Sequence, residues 1–187
     1  GNGRHLWVGA LCGFFLVLAT ILQQIGLVTT TTAKSGFITA LYIVIVPIFG
    51  IFLGRRPAGT LWIGVAVSLV GLYFLCMKDT LSINIGDLFT FGSAIVFSIH
   101  ITLIDRLGRS LNSIKLSAIQ FAMATLTAGI VTFLFETPTI EGILACWKDL
   151  LYVAVFSGAL GYTLQIVGQK DTDPTLASLI MCLESVF

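Results

Sequence analysis

Glu184 is the most expensive residue in this sequence. It lies about ten residues into an apolar run that opens near Pro174, roughly 15 Å along a helix, where an ionised carboxylate in hydrocarbon costs ~2.5–3.5 kcal/mol. Three roles are open to it: binding a cationic group, carrying a coupling proton, or sitting protonated in a helix contact. Tyr42, Gln120, Tyr162 and Gln165 pose a milder version of the same problem, because each carries a hydrogen-bonding group that cannot be left bare among apolar neighbours. They are expected either to pair across helices or to line an aqueous cavity.

These residues belong to stripes. At helical spacing, Ser35, Thr39 and Tyr42 share one face, as do Thr90, Ser93 and His100; so do Ser113, Ser117, Gln120 and Thr127, and then Gly158, Tyr162, Gln165 and Gln169. For the single Ser and Thr residues the plain reading is packing, in which cross-helix hydrogen bonds are worth ~0.6 kcal/mol on average. Gly64, Ser68 and Gly71, with the Gly9-x-x-x-Gly13 and Gly50-x-x-x-Gly54 pairs, read as contact notches. Lys34 lies one turn ahead of an apolar run, where it can snorkel to the interface, and beside Ser35 it also keeps an anion-binding role open. His100 and Asp105 read as a boundary pair rather than a proton relay.

No catalytic constellation emerges. There is no H-E-x-x-H, no G-x-S-x-G and no pair of acids within one helix, and Cys12, Cys76, Cys146 and Cys182 are scattered singly among apolar residues. Neither an enzyme, a metal site nor a cofactor is expected. The net charge of +1 contains no basic run, which argues against a nucleic-acid partner.

The elements that carry these residues are membrane spans. Hydrophobic residues make up 57% of the 187 and charged ones 10%, with a mean hydropathy of +1.02, far from the ~25% charge of a soluble domain. Crossing ~30 Å of hydrocarbon takes about 20 apolar residues. That length picks out 6–28, 36–53, 61–77, 85–104, 114–135 and 150–168, and a seventh run from 174 that is still in progress at Phe187. The runs do not alternate, so helices rather than barrel strands are expected. The predicted fold is an all-α polytopic bundle of about six full spans plus the start of a seventh. The sequence opens without Met and ends inside an apolar run, so it reads as an excerpt.

Alternating the connectors across a bilayer puts Arg4, Arg55, Arg56, Arg106, Arg109, Lys115 and Lys170 on one side and Lys34, Lys78 and Lys148 on the other. The first side, with the N-terminal end, is expected to be cytoplasmic. Sliding the chain on itself lays Leu22-Gln23 with Gly26 on Leu164-Gln165 with Gly168, and Ile38 and Leu41 on Ile180 and Leu183. The copies are separated by five spans, an odd number, so they run antiparallel. Inverted repeats of this kind are characteristic of secondary transporters, with the ligand site near the midplane.

Leu22-Gln23-Gln24-Ile25-Gly26-Leu27, then Ala33-Lys34-Ser35-Gly36-Phe37-Ile38-Thr39-Ala40-Leu41-Tyr42 running to Pro47, resembles paired spans of EamA-type members of the drug/metabolite transporter superfamily. Gly86-Asp87-Leu88, Ser98-Ile99-His100-Ile101 with Asp105-Arg106, and Leu164-Gln165 through Pro174-Thr175 to Leu183-Glu184 continue the resemblance in order. It implies ten helices in two inverted halves, of which residues 1–77 would be the end of the first repeat (helices three to five) and 78–187 the start of the second (helices six to nine, truncated). It also implies a multi-pass protein of the plasma membrane, a bacterial inner membrane, moving amino acids, other metabolites or drugs. The partners expected are a small-molecule substrate and the lipid bilayer, with a homodimer allowed but not required. The substrate pathway is expected to involve Glu184, Tyr42, Thr39, Ser35, Lys34, Gln120, Gln165, Tyr162 and His100. The family often has Glu-Pro where this chain has Glu184-Ser185, which puts a proline-promoted helix break there in doubt. The rival to transport is a membrane-embedded scaffold.

Overall fold

A computed structural model of the chain describes residues 2–76 and 84–185, apart from the side chains of Asn2, Cys76, Glu184 and Ser185. The Lys78-Asp79 connector and Val186-Phe187 lie outside the described residues. Every regular element among those described is helical.

Helix α1 runs Asn2–Leu27. A turn at 28–31 leads into α2 (Thr32–Ala40), which Thr31 caps by accepting from the Lys34 backbone N–H. At Leu41 the helix breaks, and α3 continues as Tyr42–Phe52 with Pro47 in its interior. Pro47 lacks an N–H for the Ile43 carbonyl and its ring crowds that turn, which loosens the helix near the break. The pair α2–α3 spans Thr32–Phe52 as one bent rod. Helix α4 is Gly59–Cys76.

Asn84 and Asp87 form a reciprocal capping box that starts α5 (Ile85–Leu103). The helix then widens into one π turn, Ile104–Gly108. Asn112 caps α6 (Ser113–Phe135) and Thr139 caps the short α7 (Ile140–Ala145). Next come α8 (Trp147–Tyr152), a π-helical stretch Val153–Tyr162 and α9 (Thr163–Asp171), which together form one rod. Asp173 caps α10 (Pro174–Met181), with Pro174 at its first position, and a 3-10 turn Cys182–Ser185 follows.

Five of these rods are long and apolar enough to cross a bilayer, while Gly59–Leu75 falls short of that length. Five of the six full spans expected thus appear as helices of spanning length among the described residues, and the third is helical over the part described. Large apolar side chains such as Leu126, Ile130, Phe133 and Phe135 point outward from α6, as do Leu150, Leu151 and Phe156 from the α8–α9 rod. An apolar exterior of this extent on helices whose backbone groups are internally satisfied is the signature of a membrane protein.

Packing against α1 organises the bundle, with α5 on one flank and α6 on the other. Close approach depends on glycines. A Cβ on Gly9 would stand 2.6 Å from Ile119 Cγ2, one on Gly13 would strike the Gln120 carbonyl oxygen, and Gly26 and Gly86 abut backbone to backbone. Ser93 donates to the Ala19 carbonyl at 2.8 Å across the α1–α5 seam. Of the three expected notches, Gly9–Gly13 is real. Gly50–Gly54 is not a helix contact: Gly54, at φ +83°, ends α3, with Arg55 N–H donating to Gly50 O at 2.8 Å and Gly54 N–H to Ile51 O at 2.9 Å. This is a Schellman stop, which needs glycine in the left-handed region. In the third, a Cβ on Gly64 would meet Leu179 Cδ1 at 3.4 Å, whereas one on Gly71 would meet nothing within 4 Å among the described residues.

Among the described residues, connectors meet at two ends of the bundle. At one end, Asn112 N–H donates to His5 Nε2 at 3.1 Å, Arg106 to Leu53 O at 2.5 Å and Arg109 to Thr172 O at 2.9 Å. At the other, Thr30 meets Asn84 and Asp87.

Candidate functional site

The bend at Leu41 and the wide π-helical turns around Val153–Tyr162 hold α2–α3 and the α8–α9 rod apart, and between them lies a cavity of about 810 Å³. Its floor and walls include Thr39 and Tyr42 from the bent rod, Phe97 and Ile101 from α5, and Tyr162 and Gln165 from the α8–α9 rod. Ile180, Met181 and Leu183 close it from α10 and the turn beyond. The lining therefore mixes aromatic and aliphatic faces with hydroxyl and carboxamide groups, which suits a ligand that is partly apolar and makes a few directed hydrogen bonds.

Gln23 projects into the same space from the last turns of α1 and donates from Nε2 to Thr39 Oγ1 at 3.2 Å. It was not among the expected pathway residues, although the self-alignment of the sequence places it on Gln165. Phe97 and Ile101 carried no signal, because an apolar residue on an apolar span looks the same whether it meets lipid, a helix or a cavity.

Gln120, His100, Ser35 and Lys34 are not among the lining residues. Gln120 and His100 form a buried pair behind the Tyr162 wall, with His100 Nε2 and Gln120 Oε1 3.0 Å apart and the imidazole edge-on to the Tyr162 ring. His100 and Asp105 are thus not a pair: one turn separates them along α5, and each has its own partners. Ser35 is buried one residue from the cavity-lining Gly36, and its hydroxyl has no partner among the described residues. The 3-10 turn Cys182–Ser185 carries the backbone of Glu184, whose side chain lies outside the described residues. The helix gives way there without a proline, by tightening after Met181.

Lys34 sits at the end of the bundle, where its ammonium meets Asp87 Oδ2 at 2.5 Å. Asp87 also accepts from the Asn84 N–H and the Thr30 hydroxyl, each at 2.9 Å. Eighteen positions further along α5, Asp105 is 3% exposed and holds two guanidinium groups, Arg55 at 2.5 Å and Arg109 at 2.8 Å. Helix α5 therefore carries one neutralised carboxylate near each end, about 27 Å apart at 1.5 Å per residue, close to the ~30 Å of a hydrocarbon core. Lys34 and Arg55 flank α2–α3, so the bent rod is pinned to α5 at both ends.

Three comparisons bear on this arrangement. The model of the EamA-like transporter family matches residues 84–187. An uncharacterized transporter of Archaeoglobus fulgidus is 32% identical over 189 residues, covering 94% of this chain and 58% of its own length. One solved protein chain superposes with a TM-score of 0.77 at 19% identity over 96% of this chain and 65% of its own, a likeness of fold alone. The chain thus spans less than two thirds of the relative and of the solved chain it matches.

Proposed function

The chain belongs to the EamA-like transporter family, and on that premise we propose that it is part of a secondary transporter that moves a small metabolite, amino acid or drug through the cavity by alternating access. The observation that carries the reading is the cavity itself: hydroxyl and carboxamide groups gathered around about 810 Å³ inside a bundle whose exterior is apolar. Polar groups held at such depth serve a pathway better than a scaffold, which needs only that its helices pack.

The inverted repeat is supported by a register more detailed than the sequence match. Thr31 and Asp173, which cap α2 and α10, are 142 positions apart. So are Gln23 and Gln165, both in the cavity wall, and so are Leu41 and Leu183, which stand at the breaks following α2 and α10. Three kinds of feature in one register favour two related units, with 1–77 closing one and 78–187 opening the next. The family match beginning at Asn84, the cap of α5, fits that division. On this reading the ligand sits between the units, where transporters of inverted topology bind. The arginine-rich end, which holds seven of the ten Lys and Arg, is the cytoplasmic one of a bacterial inner membrane.

Glu184 is the ionisable candidate of the site, since Met181 and Leu183 beside it line the cavity. The test is a substrate screen on the full-length protein reconstituted in liposomes, followed by Glu184→Gln on the first solute that accumulates. Saturable flux that Glu184→Gln reduces at least tenfold supports the reading, whereas no flux above that of protein-free vesicles across amino acids, metabolites and drugs counts against it.

A further inference from the structure

Two layers lie between the cavity lining and the end of the bundle that carries Asp105. Ile101 and Gln165 are its members nearest that end, and beyond them Val8, Cys12, Ile104, Leu111, Leu116 and Ile166 form a close-packed buried cluster. Beneath the apolar plug lies the charged layer on Asp105. Arg55 reaches it from the turn after α3, and Arg109 from the turn after α5.

The two arginines do different things. Arg55 joins α3 to α5, and that joint is doubled by Arg106 donating to Leu53 O. With Lys34–Asp87 fixing the far end of the same two rods, α2–α3 and α5 are braced at both ends and behave as one body. Arg109 instead extends from Asp105 to the carbonyl of Thr172 at 2.9 Å, in the connector between α9 and α10. Among the described residues that guanidinium carries the side-chain hydrogen bond from the braced body to the α9–α10 turn at this end, and its side chain is 41% exposed, within reach of water that would replace the bond. A backbone carbonyl held by an exposed donor is a joint that water can replace.

We propose that the Asp105 layer is the gate of this end of the cavity, in which Arg55 is a fixed strut and Arg109 is the arm that lets go of the α9–α10 turn when the end opens. The assignment rests on the transport reading of the cavity. Opening breaks the Arg109–Thr172 bond and parts Ile166 from Ile104 in the plug, while Arg55–Asp105 stays made, so Asp105 keeps a counter-charge throughout. A gate that never strands its buried carboxylate avoids the large penalty of an unpaired charge.

The experiment uses the full-length protein with its native cysteines replaced, Thr39→Cys as reporter in the cavity, and a membrane-impermeant thiosulfonate applied to either face of oriented vesicles. Arg109→Ala is expected to raise labelling from the Asp105 end about tenfold, the scale of one charge-assisted hydrogen bond in a half-exposed setting. Arg109→Lys retains the ion pair with Asp105 and so protects folding, and should raise it about threefold. Backbone hydrogen exchange at 170–176 should rise in both variants and that at 53–57 should not. Unchanged labelling from the Asp105 end in Arg109→Lys, or exchange rising equally in both segments, overturns the gate. A reporter that is modified from neither face in the unsubstituted protein would instead remove the transport reading on which the gate rests.

Discussion

Gln23 and Gln165 stand 142 positions apart in the chain and look into one cavity, the first from α1 and the second from α9. A carboxamide both donates and accepts, so two of them in one lining can bind a ligand without committing the site to one charge. Replacing either by Ala removes one ligand hydrogen bond of ~1–1.5 kcal/mol, about a tenfold rise in the KM for transport. Uptake kinetics on the reconstituted protein would check this, and an unchanged KM in both variants would take the carboxamides out of the site.

Lys34 and Asp87 predict a thermodynamic coupling. Lys34→Met leaves a carboxylate that is 7% exposed with neutral donors alone, which should lower stability by ~2–3 kcal/mol, less than for a fully buried pair because water still reaches the ammonium. Adding Asp87→Asn removes the stranded charge and should restore about half of the loss. Thermal unfolding in detergent across the four proteins measures it. Simple additivity would show that the pair is not a brace.

Glycines sort by what surrounds them. Gly13→Ala drives a methyl group into the Gln120 carbonyl and Met123 Cβ, so it should cost ~1–3 kcal/mol through displacement of α1 from α6. Gly71→Ala meets open space and should change stability by less than ~0.5 kcal/mol. Gly54→Ala has room but the wrong backbone, φ +83°, and should cost ~1 kcal/mol. Equal effects at positions 13 and 71 would contradict the packing described.

The buried pair behind Tyr162 gives a fourth expectation. Gln120→Leu keeps the volume and deletes the partner of His100 Nε2, in a place where both side chains are fully buried. The stranded imidazole nitrogen should lower stability by ~1–3 kcal/mol. Gln120→Glu keeps an acceptor there but encloses an ionisable carboxyl group, so it should cost at least as much, which a parallel melt would show.

Much of this molecule was legible in its residues. The apolar runs gave the helices, the Lys and Arg distribution sorted the connectors into the two ends that Arg55–Asp105 and Lys34–Asp87 now mark, and four expected residues, Thr39, Tyr42, Tyr162 and Gln165, meet in the cavity. Lys34 and His100 were harder, because a charged or titratable side chain has the same sequence signature whether it binds a ligand or another helix. Gly50-x-x-x-Gly54 misled for a related reason: the same spacing serves a contact notch and a Schellman stop, and only the backbone angle tells them apart. The pairing of Asp105 with Arg55 was out of reach, since it joins elements fifty positions apart in the chain, and the direct packing of α3 on α5 that brings them together has no local signature.

If the cavity belongs to an aqueous pathway, its walls are open to reagents dissolved in water. Cysteines introduced singly at Tyr42 and Gln165 in the full-length protein, with Phe133 on the lipid-facing side of α6 as control, can be challenged in intact membranes with a charged thiol reagent. Modification is expected at positions 42 and 165, slowed by transported solute, and none at 133. Complete protection of 42 and 165, with labelling no faster than at 133, would contradict an aqueous pathway.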